Sequence, residues 1–342
     1  MIVSRREHLV DKVVIVDGLP GCGKTLFSKI ISAMDRVELL TFAYEIENYC
    51  ALHSLGEISL NAAQAQISLT SDVQLYDMMM GRNVNFRPSD LSSAIQYHDY
   101  KKYFNRLFRE GDDATLDVIN LEQPILNLTS HHLLAHSEPI WKAFGDRCVF
   151  VEVVRHPLYM TRQQLLNEQK LFESVKNFDV CFSFKGKDLP FYTKEWKDLY
   201  LESNPAERVI HFIDNLTKKT ETVKQKMKDK YGAKIVTISF EEFVTNPDKI
   251  LPRLAKIIGT KVTEATVKVM QEQEVPRDKV ANGVDISVYR RCGWSPSNAN
   301  STEKDEVQLR RLEIESEINA DSVLILDKLI KNYEAKYWNP EG

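Results

Sequence analysis

Residues 12–25 read Lys-Val-Val-Ile-Val-Asp-Gly-Leu-Pro-Gly-Cys-Gly-Lys-Thr, and this stretch decides the fold of the chain. The β-branched run at 13–16 predicts a strand, and the apolar spacing within residues 24–34 predicts a helix. Between them, residues 18–25 match G-x-x-x-x-G-K-[ST] in full, a loop whose main-chain N–H groups surround a phosphate. The stretch therefore predicts strand, phosphate loop and helix, with a nucleotide bound at the loop.

The residue types in this loop each have a chemical reason. Gly18, Gly21 and Gly23 let the backbone amides turn inward around an anion, and the N-terminal end of the following helix adds positive charge. Lys24 is expected to bridge the terminal phosphate oxygens. The Thr25 hydroxyl is expected to ligate Mg²⁺ if the bound molecule is a nucleoside triphosphate used by a kinase or a hydrolase.

Two further side chains at the loop have alternative interpretations. Cys22 lies at a helix N-terminus, which can activate a thiol, but we interpret it as a small residue of the nucleotide site. Asp17 precedes the loop, and it is either a partner of Lys24 or of a metal, or simply a carboxylate at the end of a strand.

Composition and charge exclude several classes of protein. The chain has 342 residues with 43% hydrophobic and 27% charged, which is ordinary for a globular protein. Its net charge of −4 offers no bulk attraction to nucleic acid or to an anionic membrane, so any anion site must be local. The cysteines are odd in number and lack C-x-x-C spacing, which argues against disulfides and zinc. We expect a cytoplasmic protein without signal peptide or membrane span, and find no signal of an oligomeric state.

The alternation of strand and helix patterns predicts the architecture. Strands are expected at 115–119, 148–154 and 234–238, with helices between them, which indicates a doubly wound, mostly parallel sheet flanked by helices. We expect one elaborated α/β domain over 1–342. A helical insertion is expected at about 56–110, a hairpin insertion around Gly186 at about 177–200, and a C-terminal helix at about 303–335.

Beyond the loop, the chain resembles the sulfotransferase family, whose P-loop fold binds 3′-phosphoadenosine 5′-phosphosulfate (PAPS). Val153-Val-Arg155-His156-Pro157 resembles the family's V-R-[DH]-P motif, in which the arginine grips the donor's 3′-phosphate. The resemblance therefore implies this role for Arg155. A guanidinium suits a phosphate, and the end of a parallel strand is where ligands meet such sheets.

Three other segments are similar to the family's motifs. Residues 238–247 are similar to Y-E-D-L-x-x-D-P, with Glu241 and Glu242 interpreted as structural. Residues 289–294 resemble the basic R-K-G loop that closes over the donor, which implies that Arg290, Arg291 and Gly293 bind it. Residues 129–133 resemble T-H-L-P, which implies that His132, with His131 in reserve, is the base that deprotonates the acceptor.

The chain departs from the family at two donor-binding positions. The family's loop is P-[KR]-S-G-T-T, whereas here the basic residue is Lys24, the arrangement of enzymes that use ATP or GTP. Gln163 stands where the family commonly has serine. A kinase would also need a carboxylate for Mg²⁺, for which Asp117 on the expected strand 115–119 is a candidate, and Arg162 is a candidate lid arginine.

Three functions thus remain open from the sequence. The first is a sulfotransferase-like transferase that uses PAPS as donor and a hydroxyl or amine of a small molecule or glycan as acceptor. The second is an ATP- or GTP-dependent kinase on the same fold, and the third is a nucleotide-binding regulatory NTPase. Arg82, Arg87 and the aromatic segment 182–196 are candidates for acceptor specificity.

Overall fold

The strand that precedes the phosphate loop lies at the centre of a parallel sheet. The computed structural model describes residues 3–172, 174–296, 300–338 and 340. In chain order, its strands are β1 Lys12–Asp17, β2 Thr41–Phe42, β3 Ile125–Thr129, β4 Cys148–Val154, β5 Cys181–Phe184, β6 Lys187–Pro190 and β7 Lys234–Ser239. Over the described residues the main sheet has the order β2-β3-β1-β4-β7, and each of these pairs is parallel.

Helices cover both faces of this sheet. The helices are α1 Lys24–Ser32, α2 Tyr44–Leu55, α3 Leu60–Met80, α4 Tyr100–Arg106, α5 Asp113–Glu122, α6 Glu138–Phe144, α7 Pro157–Lys170, α8 Lys197–Glu202, α9 Pro205–Tyr231, α10 Phe240–Thr245, α11 Pro247–Ile258, α12 Glu264–Glu272, α13 Ser287–Arg291, α14 Glu303–Glu315 and α15 Ala320–Lys336. Short 3₁₀ helices lie at Ala94–Gln96, Leu133–His136, Gly145–Arg147 and Phe191–Trp196. In the part of the chain that the structure describes, no helix is both long and apolar enough to span a membrane.

The side chains of β1 alternate between two hydrophobic cores. Val14 and Val16 belong to the cluster that contains Phe27 of α1, whereas Val13 and Ile15 belong to the cluster that contains Phe150. A strand buried on both faces needs apolar residues at every position, which explains the continuous Val-Val-Ile-Val run. The predicted fold class, a doubly wound and mostly parallel sheet flanked by helices, is confirmed.

The prediction of a strand at 115–119 is wrong, because these residues lie in helix α5. Thr115 and Ile119 are its buried residues, four apart on one helical face, while Asp117 is exposed. The short β-branched run resembled a strand, but its burial follows the helical period. The strand of this region is β3, after Pro124, and its five residues are all buried.

The expected insertion at 56–110 and the expected C-terminal helix each contain more than one helical segment. The region 56–110 contains α3, capped by Ser59, a 3₁₀ turn and α4. The single C-terminal helix expected at 303–335 is two helices, α14 and α15, because Asn319 caps a new helix through its side chain. An antiparallel hairpin, β5 and β6, lies within 177–200 and turns at Gly186. That the whole chain is one domain stays a prediction.

Candidate functional site

The phosphate loop opens into a cavity of about 440 Å³, lined in part by Gly21, Gly23, Lys24 and Thr25. The segments that follow β3, β4 and β7 line the same cavity, so it lies at the carboxyl ends of the strands, where ligands bind in such sheets. Gly21 and Gly23 have φ angles of 93° and 91°. Glycine is required at these positions because other residues are strained in this region of backbone conformation.

Lys24 and Cys22 have different surroundings. Lys24 is 5% exposed, lines the cavity, and donates from Nζ to the carbonyl oxygen of Gly18 at 3.3 Å. The Cys22 side chain is buried, with its sulfur in the space beside Gly18, and burial raises the pKa of its thiol. A protonated thiol in the core is not a nucleophile, so the geometry agrees with our interpretation of Cys22 as a small loop residue.

Asp17 holds the segment after β3 in place. Its carboxylate accepts hydrogen bonds from Ser130 Oγ at 2.9 Å and from the backbone N–H groups of Leu133 at 3.0 Å and Leu134 at 2.8 Å. The backbone N–H of His132 donates to Gly18 at 3.2 Å. The phosphate loop and the two-histidine segment are therefore one hydrogen-bonded unit, and Asp17 is a strand-end carboxylate with a structural task.

Arg155 lies at the end of β4 and lines the cavity beside the phosphate loop. Its guanidinium donates to the carbonyl oxygen of Gly21 at 3.0 Å and packs over the rings of Phe240 and Tyr159, at 4.1 and 5.0 Å from their centroids. Burial lowers the pKa of Arg155, and its Nε has no partner among the described residues. A desolvated guanidinium with an unused donor is suited to bind an anion.

Two arginines that the sequence did not indicate join Arg155. Arg277 lies 5.7 Å from the centroid of the Phe240 ring, and Arg310 of α14 lies 4.6 Å from that of Tyr159; both line the cavity. Burial and the nearby charge of Arg155 lower the pKa of Arg277 to about 10. The three guanidinium groups converge around two aromatic rings. We call Arg155, Arg277 and Arg310 the arginine cluster.

The loop expected to close over the donor contributes less than its sequence implied. Gly293 lines the cavity with Cys292 and Trp294, but Arg290 and Arg291 are not among the lining residues. Arg290 is paired with Asp285 at the surface, where its side chain is 65% exposed. Arg290 and Arg291 are both exposed on α13, and that they clamp the donor stays a prediction.

Both candidate base histidines line the cavity, in different surroundings. His132 has a φ of 44° and is 7% exposed, and its ring packs against Tyr192 and Phe212 with centroids 5.1 and 5.7 Å apart. Its Nδ1 has no hydrogen-bond partner among the described residues. Burial, followed by the charges of His136, His131 and Lys24, lowers the pKa of His132 well below its ordinary value.

His131 is tied to a carboxylate instead. Glu47 Oε1 accepts a hydrogen bond from the His131 backbone N–H at 2.7 Å and lies 3.3 Å from its Nδ1. The neutral, cavity-lining imidazole of His132 can accept a proton, whereas His131 is already oriented by Glu47. Which of the two histidines is the base stays a prediction, in which His132 is the first choice.

Glu241 supports the turn that carries Arg155. It is fully buried and accepts from the His156 backbone N–H at 2.9 Å and from Ser239 Oγ at 3.2 Å. Burial raises the pKa of Glu241, and the charge of Arg155 opposes this rise. The structural interpretation of Glu241 agrees with these contacts.

The carboxylate expected for a magnesium site is not at the cavity. Asp117 is exposed on α5, so the expectation that it ends a strand is wrong. The segments that follow β3 and β4 contribute His132 and Arg155 to the cavity, and the carboxylate inside β4, Glu152, is paired with Lys224 at 2.6 Å. Among the described residues no group of three or more His, Cys, Asp or Glu could hold a metal.

The residues considered for acceptor specificity lie in different parts of the structure. Arg82 lines a second cavity, of about 620 Å³, between α2, α3 and the segment 82–92. Arg87 is at the surface near Asp90, with 3.6 Å between Nε and Oδ1. Tyr192 of the aromatic segment lines the phosphate-loop cavity. Gln163 and Arg162 also line it.

Comparisons with known proteins give a consistent but distant likeness. No protein family model matches the chain, and no curated protein matches it. Among solved structures it is similar to the sulfotransferase domain of the Synechococcus PCC 7002 olefin synthase, at 12% identity, with 97% of this chain and 98% of that one covered and a TM-score of 0.43. It is also similar to the sulfotransferase domain from the curacin biosynthetic pathway, at 12% identity and a TM-score of 0.43, covering 93% and 97% of the two chains.

A third similar structure is mouse sulfotransferase SULT7A1 complexed with PAP, at 8% identity, with 97% and 90% covered and a TM-score of 0.38. These neighbours are sulfotransferases. Identities and scores of this size are too low to carry donor, acceptor or site residues from them to this chain. The site of this chain must therefore be judged on its own geometry.

Proposed function

We propose that this chain is a P-loop group transferase that transfers a sulfuryl group from PAPS to a hydroxyl or amine acceptor. The observation that carries the proposal is the arginine cluster beside the phosphate loop, in one cavity. A loop that binds one phosphate needs no second cationic group of this size nearby. A donor that carries a separate phosphate on its ribose has use for both.

The chain's own residues supply each step of such a transfer. The loop amides and Lys24 hold the phosphosulfate, and the arginine cluster holds the second phosphate. His132 takes the proton from the acceptor oxygen as that oxygen attacks sulfur in line. The new S–O bond forms while the bond from sulfur to the bridging oxygen breaks, and Lys24 neutralises the charge left on the 5′-phosphate.

Burial of the base and the cations has a chemical consequence. Charges interact more strongly in a cavity with little water than in solution, so a fixed ammonium at the bridging oxygen is an effective way to stabilise the leaving group. Removing one such group typically costs about 10²–10³ in rate. Lys24→Ala is expected to abolish transfer, and retained activity would reject the loop as the donor site.

The alternative is an ATP- or GTP-dependent kinase, and one observation favours it: Lys24 and Thr25 stand in the order used by enzymes that bind nucleoside triphosphates with Mg²⁺. Thr25 lines the cavity, as a metal ligand in such a site would. A regulatory NTPase remains the third possibility, and it would bind the nucleotide without transferring a group to any acceptor.

Calorimetry with 3′-phosphoadenosine 5′-phosphate (PAP) and with ATP, each with and without Mg²⁺, separates these functions. We expect PAP to bind without a metal, and binding of ATP with Mg²⁺ alone would reject the proposal in favour of the kinase. Arg155→Ala should weaken PAP at least about tenfold and ATP much less, since a charged hydrogen bond is worth about 1.5–3 kcal/mol. Arg253→Ala, at an exposed arginine of α11, is the matched control and should change neither.

A further inference from the structure

The cavity has a second set of charges, of opposite sign to the arginine cluster. Glu47 of α2 and Asp179, which precedes the β5–β6 hairpin, both line it close to His131. The aromatic residues Tyr44 and Phe178 line the same region. We call Tyr44, Glu47, Phe178 and Asp179 the acidic aromatic end of the cavity.

The two carboxylates differ in how they are satisfied. Glu47 accepts from the backbone of His131 at 2.7 Å, and its side chain is 14% exposed. Asp179 is half-buried, and its carboxylate accepts no hydrogen bond from any described residue. Burial raises the pKa of Asp179, the charge of Glu47 raises it further, and His131 opposes the rise. A cation placed between these carboxylates would relieve their repulsion.

The aromatic rings leave a surface beside these carboxylates. Tyr44 stacks on His131 with centroids 6.2 Å apart and 17° between the planes, and Phe178 meets Tyr44 edge-on at 6.3 Å. Tyr44 is 45% exposed and Phe178 is 69% exposed. Aromatic faces attract ammonium groups, and the attraction is greatest where the cation is also desolvated.

Another side chain of the same cavity has an unused hydrogen-bonding atom. The imidazole of His132 lines the same cavity, is more than nine-tenths buried, and has an Nδ1 without a partner in the described chain. Among the cations that line the cavity, Lys176 is the nearest to Asp179 in sequence, and it is exposed. The other cations that line the cavity are Arg162, Lys24 of the phosphate loop and the arginine cluster, so the cavity carries charges of both signs.

We propose that the acceptor carries a protonated amine next to an aromatic or apolar body, with the ammonium held by Asp179 and Glu47 against Tyr44 and Phe178. This inference rests on the proposed function and narrows it. An amine that is held in its protonated form has no lone pair with which to attack sulfur. The attacking atom is then a hydroxyl oxygen elsewhere on the same molecule, and the amine serves recognition.

Three phenols of matched shape test this inference by direct binding: tyramine (cationic), 4-ethylphenol (neutral) and 3-(4-hydroxyphenyl)propionate (anionic). Calorimetry on the protein with and without PAP should show tyramine binding about tenfold tighter than 4-ethylphenol, and the anionic phenol weakest. Equal affinities, or a preference for the anionic phenol, would overturn the inference.

Two variants locate the preference on the protein. Asp179→Asn should remove the preference for tyramine and leave the affinity for 4-ethylphenol unchanged, whereas Asp11→Asn, at an exposed aspartate, should keep it. Phe178→Leu, at a mostly exposed ring, should weaken tyramine more than 4-ethylphenol. A thermal melt verifies that each variant is folded. If Asp179→Asn and Phe178→Leu both keep the preference, the ammonium is not bound here and the inference fails.

Failure of the inference and failure of the proposed function have different signatures. Sulfuryl transfer to all three phenols without a charge preference would keep the function and reject the cationic acceptor. Binding that prefers tyramine, without transfer from PAPS, would keep the cation site and reject the donor.

Discussion

The guanidinium carbon of Arg155 lies 4.1 Å from the centroid of the Phe240 ring. The same ring fills the space that a side chain at Gly23 would need, so Phe240 packs against both the phosphate loop and the arginine at the end of β4. One aromatic residue from the segment after β7 thus contacts both anion-binding elements, which also meet directly where Arg155 donates to the Gly21 carbonyl oxygen at 3.0 Å. The affinity for PAP measures the effect of changing this geometry without any acceptor.

Phe240→Leu should reduce the affinity for PAP about tenfold. A buried cation–π contact is worth about 2 kcal/mol, and leucine keeps an apolar side chain there but not the π face on which Arg155 packs. Titration calorimetry measures the effect, with a thermal melt to show that the variant is folded. Phe108→Leu, at a ring that is 77% exposed, is the control. An unchanged affinity for PAP would mean that the ring does not position Arg155.

Gly23→Ala should abolish nucleotide binding, because its Cβ would overlap the Phe240 ring and its φ is +91°. Gly56→Ala is a matched control: Gly56 has a φ of +88°, but nothing lies within 4 Å of a Cβ placed there. Both variants carry a similar backbone strain of about 1 kcal/mol. Calorimetry with PAP and with ATP should therefore distinguish them, and equal affinities for the two variants would show that the overlap with Phe240 does not affect nucleotide binding.

The pH dependence of transfer tests His132 as the base. Because burial and neighbouring charges keep its pKa well below 6.5, the imidazole stays neutral and able to accept a proton at pH 6.5. The acid limb of kcat/KM is therefore expected below pH 6.5, and His132→Gln should remove it and lower kcat by about 10²–10⁴.

His131→Gln is the control for this profile, since His131 lines the same cavity. It should leave the acid limb in place. If His131→Gln removes the limb and His132→Gln does not, the base is His131. An acid limb that neither variant moves would exclude both histidines.

The buried carboxylate of Glu38 predicts how the fold responds to acid. Glu38 is fully buried and is paired with Lys102 at 2.8 Å and with Arg106 at 2.8 Å. Burial alone would raise the pKa of Glu38, but Lys102 and Arg106 together lower it to about 2. Since the pKa is lower in the folded chain than in the unfolded chain, this contribution to stability is complete above pH 4.5 and is lost as the pH falls through about 2.

Glu38→Gln should reduce the free energy of unfolding at neutral pH by about 3–5 kcal/mol, because it leaves the buried Arg106 without its partner. Urea unfolding at neutral pH measures this loss. Glu122→Gln removes a longer contact to the same arginine, at 3.6 Å, from a side chain that is 36% exposed. It should cost less than about 1 kcal/mol. A similar loss in both variants would mean that Glu38 is not the main partner of Arg106.

The phosphate loop and its context could be predicted from the sequence because their signals are local. A β-branched run, glycines at fixed spacing and an amphipathic helix are contiguous, and β1, the loop and α1 follow them. The apolar run at 148–154 likewise predicted β4, because a strand that is buried on both faces needs apolar residues along its length. The error at Asp117 arose because a segment this short has too few apolar residues to distinguish a strand from one buried face of a helix.

The sequence by itself thus determined the class of fold, the loop that faces the cavity and the place of Arg155 at a strand end. Only the tertiary structure decided which side chains meet there. It brought Arg277 and Arg310 to Arg155 and turned Arg290 outward to Asp285. It also placed Asp179 beside Glu47. Backbone conformation follows from neighbours along the chain, whereas these charges are far apart in sequence and meet only when the packing of α2, α14 and the hairpin segment against the sheet is complete.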